Sequence, residues 1–316
     1  METLYIIEDK CSVKREGSHL KLMRLGETIG TVPLVGVKTI VAFDTVSITA
    51  PALDLLMANG IDVIYQSQWG KVKGRFIAAN GGGVITRLAQ YTAFMDTKRR
   101  LEIVKPIIEA KISNQLTVIR KYKYRDATDD YDKSISVMEA SIKNLFAAQQ
   151  IDEIMGIEGI AAKHYWSCFK QLLKNPDFTR REYRPSPDYV NALLNLGYAF
   201  LHNEITTCLL AKNLDLEIGF LHSIHYSRNS LSLDIMEEFR AAFVDSWVLT
   251  ALNKNQVKKE NFLMKEDDWR MTDEGFHKFC QLYHKRISPW REKFQKQADK
   301  LKDSLVKGGE YEPYIE

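Results

Sequence analysis

Several patterns that identify common enzyme classes are missing from this 316-residue sequence. The four cysteines stand far apart without a CxxC pair, which argues against a zinc knuckle and a dithiol redox motif and favours a reducing environment. No HExxH, GxSxG or GxxxxGK(S/T) segment occurs, so zinc-protease, α/β-hydrolase and P-loop chemistry have no support. Internal repeats and low-complexity tracts are absent as well.

Long apolar runs and strong net charge are also lacking. No stretch of about 18 apolar residues occurs, and the N-terminus has no basic region followed by an apolar one. We therefore expect a soluble, cytoplasmic protein with no membrane partner. The formal charge of +3 does not by itself indicate a nucleic-acid partner, so the local arrangement of charge matters more.

The first 80 residues predict a small β-rich domain. Short segments rich in β-branched and aromatic residues alternate with Gly, Asp and Pro, and one helix between Pro51 and Gly60 interrupts them. The glycine run that opens the segment 81–90 predicts a flexible hinge. Apolar residues then recur at helical spacing, which predicts a larger all-α domain over 91–316 and an α+β fold.

The helical spacing also predicts where the helices lie. The charged C-terminus is expected to be a solvated helix end followed by a frayed tail. The predicted helices cover 85–124, 133–150, 151–174, 187–212, 231–252 and 273–305.

Basic residues cluster in two places. The segment 98–125 holds nine Lys or Arg against two Glu, with Tyr122 and Tyr124 between its last basic residues, and "RREYR" follows at 180–184. Such a surface suits a phosphate backbone, although many basic runs are only solvated faces. The candidate DNA-binding residues are Lys98, Arg99, Arg100, Lys121, Lys123, Arg125, Arg180, Arg181 and Arg184.

Three acids lie close together on a helix that begins near Leu231. Asp234 precedes Glu237 and Glu238 by three and four residues, so the three carboxylates crowd the polar face of one turn. They are either decoration of a helix N-terminus, where anions are favoured, or part of a site. The polar loop after His222 is short enough to fold this histidine back over the acids.

A further carboxylate stands between two glycines. Glu158 in "GIEGIAAKHYW" has mostly apolar neighbours on a helix, where an isolated buried charge is too costly. It therefore either pairs with an arginine or coordinates an ion. Glu158, His222 and an acid of the later helix together offer a mixed oxygen and nitrogen set, which suits Mg²⁺ or Mn²⁺ and points to phosphodiester chemistry.

Four ordered blocks of the sequence resemble the CRISPR-associated protein one family, the integrase of CRISPR adaptation. The blocks are "GIEGIAAKHYW", "SPDYVNALLNLGYAFL", "LEIGFLH" and "SLSLDIMEEFRAAFVD". The β-rich start, "GGGVITRLAQY" and "KISNQ" extend the resemblance over nearly the whole chain. It implies a metal-dependent DNA endonuclease and transesterase that inserts foreign DNA fragments into the CRISPR array.

The resemblance also implies roles for single residues. The family's metal ligands fall on Glu158, His222 and Glu237, which decides between the two adjacent glutamates, and a further acid falls on Asp234. Many relatives have Asp where Glu237 stands. Asn191 and Tyr165 match positions that line the family's active site. The candidate catalytic residues are therefore Asp234, expected to orient a ligand or accept a proton, Asn191 and Tyr165. Arg240 is expected to pair with an acid of its own turn or with a phosphate, and it is a further candidate DNA-binding residue.

The expected partners come from the resemblance alone. It implies double-stranded and branched DNA, a homodimer formed through the β-rich domain, and a heterohexamer with the second, smaller universal CRISPR-associated protein. In the expected reaction a fragment's 3′-hydroxyl attacks a phosphodiester of the repeat. Two alternatives stay open, a catalytically idle DNA-binding scaffold and a general nuclease for branched DNA in repair.

Overall fold

A computed structural model describes residues 3–6, 8–79, 83–122, 129–174, 177–226 and 228–316, with only the backbone described at 129–130. Several predicted features therefore lie outside the described residues. They are Gly81 and Gly82 of the hinge, and Lys123, Tyr124 and Arg125 of the basic segment.

The N-terminal region is β-rich and contains two four-stranded sheets, one ordered β1-β5-β7-β8 and the other β4-β3-β2-β6. Parallel pairing joins β1, β5 and β7, and β8 is antiparallel to β7. A helix, α1 (Ala50–Ala58), lies between β6 and β7. The strands are β1 (Thr3–Ile6), β2 (Cys11–Glu16), β3 (His19–Arg24), β4 (Glu27–Pro33), β5 (Thr39–Phe43), β6 (Ser47–Ile48), β7 (Asp62–Gln66) and β8 (Val72–Phe76).

Burial explains the central place of β5. All five of its residues are buried, and Ile40 and Ala42 join Val63 of β7 and Leu56 of α1 in one apolar core. A run of β-branched and small apolar residues without polar alternation is typical of a strand that is covered on both faces. This core holds the N-terminal region together separately from the larger core of the helices.

The rest of the chain is largely helical, so the predicted α+β fold is confirmed. A π-helical segment, Arg240–Asp245, joins two of the helices. No described helix is long and apolar enough to span a bilayer. The helices are α2 (Val84–Met95), α3 (Thr97–Tyr122), α4 (Asp129–Leu145), α5 (Ile151–Leu172), α6 (Tyr189–Ala211), α7 (Ser230–Phe239), α8 (Ser246–Asn253) and α9 (Asp273–Lys307).

Two local features differ from the sequence prediction. The first predicted helix is broken at Asp96, whose backbone is extended and whose carboxylate accepts hydrogen bonds from the backbone N–H groups of Lys98 and Arg99. The helical region also contains a hairpin of strands β9 (Phe262–Lys265) and β10 (Asp268–Met271). Residues 84–90 of the predicted hinge belong to α2, and the hinge itself stays a prediction.

The prediction of a frayed C-terminal tail is wrong. Tyr311 is buried and Tyr314 stacks on Phe239 of α7. The backbone N–H of Glu316 donates to Asn114 Oδ1 on α3 at 2.8 Å. The tail after α9 therefore packs against the helices that carry the candidate site, because its aromatic side chains complete their apolar core.

Candidate active site

The histidine predicted from the sequence lies against Asp234 near the start of α7, and all three acids of this helix are buried. The expectation that they crowd a polar face is therefore wrong. Asp234 accepts hydrogen bonds from the backbone N–H groups of Phe220, Leu221 and His222 at 2.5, 3.0 and 3.0 Å. Its Oδ1 also lies 2.6 Å from Nδ1 of His222, so the predicted fold of this histidine over the acids is confirmed.

This contact fixes the imidazole in one orientation. The carboxylate of Asp234 binds Nδ1, which leaves Nε2 of His222 as the nitrogen available to a ligand. The His222 side chain is 32% exposed while that of Asp234 is fully buried. Asp234 therefore holds the loop and the ring, and His222 presents the ring to the outside.

Glu237 is ionised and held by two cations. Its Oε1 accepts a hydrogen bond from Nη1 of Arg240 at 2.6 Å, so this arginine pairs with an acid of its own turn as expected. Its Oε2 lies 2.7 Å from Nζ of Lys111. Burial would raise the pKa of Glu237, but Arg240 and Lys111 outweigh it and lower the pKa to about 2. Oε2 is buried and accepts no hydrogen bond of regular geometry, so it keeps capacity for a ligand.

Glu158 completes the cluster from α5. Its Oε1 lies 2.6 Å from the same Lys111 Nζ, so carboxylates from two helices converge on one ammonium group. The sequence left open an ion pair with an arginine; the partner is a lysine. Burial alone would lower the pKa of Lys111, but Glu237 and Glu158 reverse this effect and raise it.

The donor set fits a hard divalent cation in part. Oε1 of Glu158 and Oε2 of Glu237 both lie at Lys111 Nζ, and the second oxygen accepts no hydrogen bond of regular geometry. Nε2 of His222 is a further donor atom for a metal ion. Lys111, however, stands at the point where the carboxylates meet. Within the described ranges no three His, Cys, Asp or Glu side chains converge closely enough to hold a metal ion.

Glu238 lies on the other side of α7 and serves the tail. Its Oε1 accepts from the hydroxyl of Tyr311 at 2.5 Å and its Oε2 from the backbone N–H of Tyr314 at 2.8 Å. Burial raises the pKa of Glu238 to about 8. The two adjacent glutamates therefore have different environments, and only Glu237 faces Lys111 and Glu158.

Tyr165 and Asn191 are buried and bonded within the protein. The Tyr165 hydroxyl donates to Oδ2 of Asp245 at 2.7 Å, on the π-helical segment that begins at Arg240. Asn191 donates to Oδ2 of Asp188 at 2.8 Å and accepts from the backbone N–H of Glu182 at 2.9 Å. Tyr165 therefore anchors the π-helical segment and Asn191 anchors the segment before α6, and their contact with a substrate stays a prediction.

The predicted DNA-binding residues divide by exposure. Arg99, Arg100 and Arg181 are partly buried and donate to internal acceptors, such as Ser304, the Phe220 carbonyl and Asn195. The remaining described members have side chains open to solvent, and their DNA contacts stay a prediction. These exposed residues are Lys98, Lys121, Arg180 and Arg184.

Lys111 and Asn114 are the site residues that the sequence reading missed. Both lie on the buried face of α3, with Lys111 three residues after Ile108, and α3 packs against α5 and α7. Asn114 Nδ2 donates to the carbonyl oxygens of Glu238 and Tyr314 at 2.7 and 2.9 Å. Polar residues on an otherwise apolar stripe were the available signal.

Comparison with known proteins gives concordant matches. A sequence model of the family described as "CRISPR associated protein Cas1" matches residues 4–285. The CRISPR-associated endonuclease Cas1 3 of Thermus thermophilus is 30% identical over 288 residues, which cover 90% of this chain and 84% of the relative.

Two solved structures share the fold. A chain of a partial Cas6-RT-Cas1–Cas2 complex has a TM-score of 0.85 at 19% identity, covering 100% of this chain and 99% of the other. A casposase bound to an integration product has a TM-score of 0.79 at 22% identity, covering 100% of both chains. At these identities the likeness shows a common architecture.

Proposed function

The chain belongs to the Cas1 family of CRISPR-associated proteins, and from this membership we propose that it is a divalent-metal-dependent DNA endonuclease and integrase of CRISPR adaptation. In the proposed reaction it inserts foreign DNA fragments as spacers into the CRISPR array. The relative from Thermus thermophilus is named an endonuclease, and the structurally similar casposase is bound to an integration product.

One observation carries this proposal. Carboxylate oxygens of Glu158 and Glu237, from separate helices, lie 2.6 and 2.7 Å from a single cationic group beside the imidazole of His222. Bringing the buried Glu237 and the half-buried Glu158 together in this way has a cost, because like charges repel in a medium of low dielectric. Such an arrangement is typical of sites that bind a divalent cation and a phosphodiester.

The residues have separate tasks in the proposed reaction. Glu158, His222 and Glu237 would hold Mg²⁺ or Mn²⁺, which when bound supplies charge stabilisation and lowers the pKa of an attacking hydroxyl. Asp234 orients His222, since its oxygens are already occupied by four donors. Arg240 holds Glu237. These positions favour an orienting role over proton acceptance for Asp234.

The proposed strand transfer exchanges one phosphodiester bond for another and needs no further reactant. The fragment's 3′-hydroxyl oxygen forms a new bond to phosphorus as the bond to the repeat's 3′-oxygen breaks, and the hydroxyl proton passes to solvent while the departing oxygen gains one. With water as the nucleophile, the same site hydrolyses the phosphodiester. The exposed Lys98, Lys121, Arg180 and Arg184 would contact phosphates with little dependence on sequence.

The proposed assembly is a homodimer formed through the β-rich region, two of which flank a dimer of Cas2 in a heterohexamer. The structurally similar chain of the partial Cas6-RT-Cas1–Cas2 complex supports this choice of partner. We also propose that 1–80, 81–90 and 91–316 act as the dimerising region, hinge and catalytic domain, and that the protein works in the cytoplasm.

Strand transfer by the purified protein tests the enzymatic proposal. Labelled branched DNA and repeat-containing DNA are incubated with Mg²⁺ or Mn²⁺, with and without Cas2. We expect cleavage or joined products with the parent and none with Glu158→Ala or His222→Ala. Asp152→Ala is the matched control, because Asp152 is an exposed acid on the same helix as Glu158.

The same assay separates the alternatives. The DNA-binding scaffold would be favoured by either of two results. The parent binds DNA but neither cuts nor joins it, or the variants at Glu158 and His222 keep full activity. Joining or cutting that ignores the repeat even with Cas2 supplied would favour a general nuclease for branched DNA.

A further inference from the structure

Lys111 occupies an unusual place for a lysine. Its side chain is only 12% exposed, and its Nζ lies 2.6 Å from Oε1 of Glu158 and 2.7 Å from Oε2 of Glu237. Lysine side chains are seldom buried unless their charge is paired. Here one ammonium group joins acids that come from α5 and α7, while the lysine itself comes from α3.

The charges of this cluster balance within the protein. Glu158 and Glu237 contribute two negative charges, and Lys111 and Arg240 contribute two positive ones. Without Lys111, two carboxylates would face each other with one cation, Arg240, on the far side of Glu237, and repulsion would favour their separation. Lys111 therefore offsets the repulsion between the two acids and holds both of them toward one position.

We propose that Lys111 is an internal counter-cation that preforms the metal site and that a divalent ion must displace. This inference rests on the metal dependence in the proposed function. The carboxylate oxygens that bind the ammonium group are those that would ligate the ion, so both cations compete for the same oxygens. Lys111 is thus a positioning residue whose presence weakens metal binding.

Metal affinity measured by calorimetry tests this proposal. The intact wild type, Lys111→Met and Lys111→Gln are each titrated with Mn²⁺ in the absence of DNA. We expect both variants to bind Mn²⁺ about tenfold or more tightly than the wild type, because a competing cation has been removed. A residue that only supported the fold would change affinity in the opposite direction.

Lys212→Met is the matched control. Lys212 is also a buried lysine, with its Nζ 2.5 Å from Oδ1 of Asp299, but it stands outside the cluster. Loss of this ion pair, in which Lys212 is buried and Asp299 is half exposed, should lower the thermal midpoint and leave Mn²⁺ affinity unchanged. In the Lys111 variants the metal-free midpoint should also fall, and Mn²⁺ should raise it by more than in the wild type.

The outcomes distinguish this inference from the proposed function. A wild type that binds neither Mn²⁺ nor Mg²⁺ overturns the metal dependence itself. A wild type that binds while both Lys111 variants bind equally or more weakly overturns only the displacement. A variant that folds only with Mn²⁺ supports displacement, and variants unfolded even in saturating Mn²⁺ contradict it, since the ion should replace the missing charge.

Discussion

Two exposed glycines in α5, Gly156 and Gly159, should lower the stability of the folded protein, and the packing of the helix does not require them. A Cβ atom added at Gly156 or Gly159 would meet no other atom within 4 Å. Both residues lie on the open side of the helix, next to the half-buried Glu158. Neither close packing nor an unusual backbone conformation therefore requires glycine at these positions.

The expected gain follows from helix propensity. Gly is about 1 kcal/mol less favourable than Ala in a helix interior, so Gly156→Ala and Gly159→Ala should each stabilise the protein by about that amount. In a chain of this size, about 1 kcal/mol corresponds to a rise of roughly 1–3 °C in the thermal midpoint. The double variant should show about twice the effect, because the added methyl groups contact little else.

A third helical glycine is the matched control. Gly197 of α6 is also in a helix interior, but an added Cβ would lie 2.7 Å from Cγ1 of Val244. Overpacking of this kind costs about 1–3 kcal/mol, which exceeds or cancels the gain in propensity. Gly197→Ala should therefore be neutral or destabilising, opposite to the two α5 variants.

Thermal and chemical unfolding of the variants, followed by circular dichroism, measures these differences. If Gly156→Ala or Gly159→Ala lowered the midpoint in the free protein, the open surroundings described for α5 would be refuted. Equal shifts for all three glycines would show that packing at Val244 plays no part.

Three other perturbations have defined outcomes. Asp234→Asn removes the carboxylate that binds Nδ1 of His222 and should weaken Mn²⁺ binding by about 10- to 100-fold in calorimetry, with an unchanged affinity counting against an orienting role. Burial raises the pKa of Glu238 to about 8, so the folded state keeps a proton that the unfolded state loses near pH 4 to 5. The free energy of unfolding should therefore fall by up to about 1.4 kcal/mol per pH unit as the pH rises from there toward 8. Denaturant titrations should show that slope in the wild type and lose it in Glu238→Gln; an identical slope in both would contradict it. Asn114→Ala removes the donor to the carbonyl groups of Glu238 and Tyr314 and should destabilise the protein by about 1–3 kcal/mol. The tail beyond Tyr314 should also become more accessible to carboxypeptidase, and a tail digested no faster than in the wild type would refute this.

Local patterns in the sequence predicted the part of the site that is built from neighbouring residues. The spacing of Asp234 and Glu237, with His222 a short loop earlier, was enough to expect an imidazole close to an acid. Helix geometry could not choose between Glu237 and Glu238. Their environments differ because Glu238 meets residues of the tail, more than 70 positions later, and such pairing leaves no local signal.

The same limit explains the errors in the fold. The tail reads as polar and solvated because its buried contacts, through Tyr311 and Tyr314, involve residues far away in the chain. The break between α2 and α3 did carry a local signal, since Asp96 caps the second helix as an N-terminal aspartate commonly does. Lys111 was counted with the basic surface, although its spacing from Ile108 places it on the apolar stripe.

The packed tail also sets an order in which the protein can be completed. Chains leave the ribosome from the N-terminus, so α3, α5 and α7 are synthesised before Tyr311 and Tyr314. Until those residues arrive, Glu238 lacks the donors that satisfy it in the folded protein. In a nascent chain, α7 therefore gains its last stabilising contacts only after Tyr311 and Tyr314 are synthesised, although every acid of the cluster is already present.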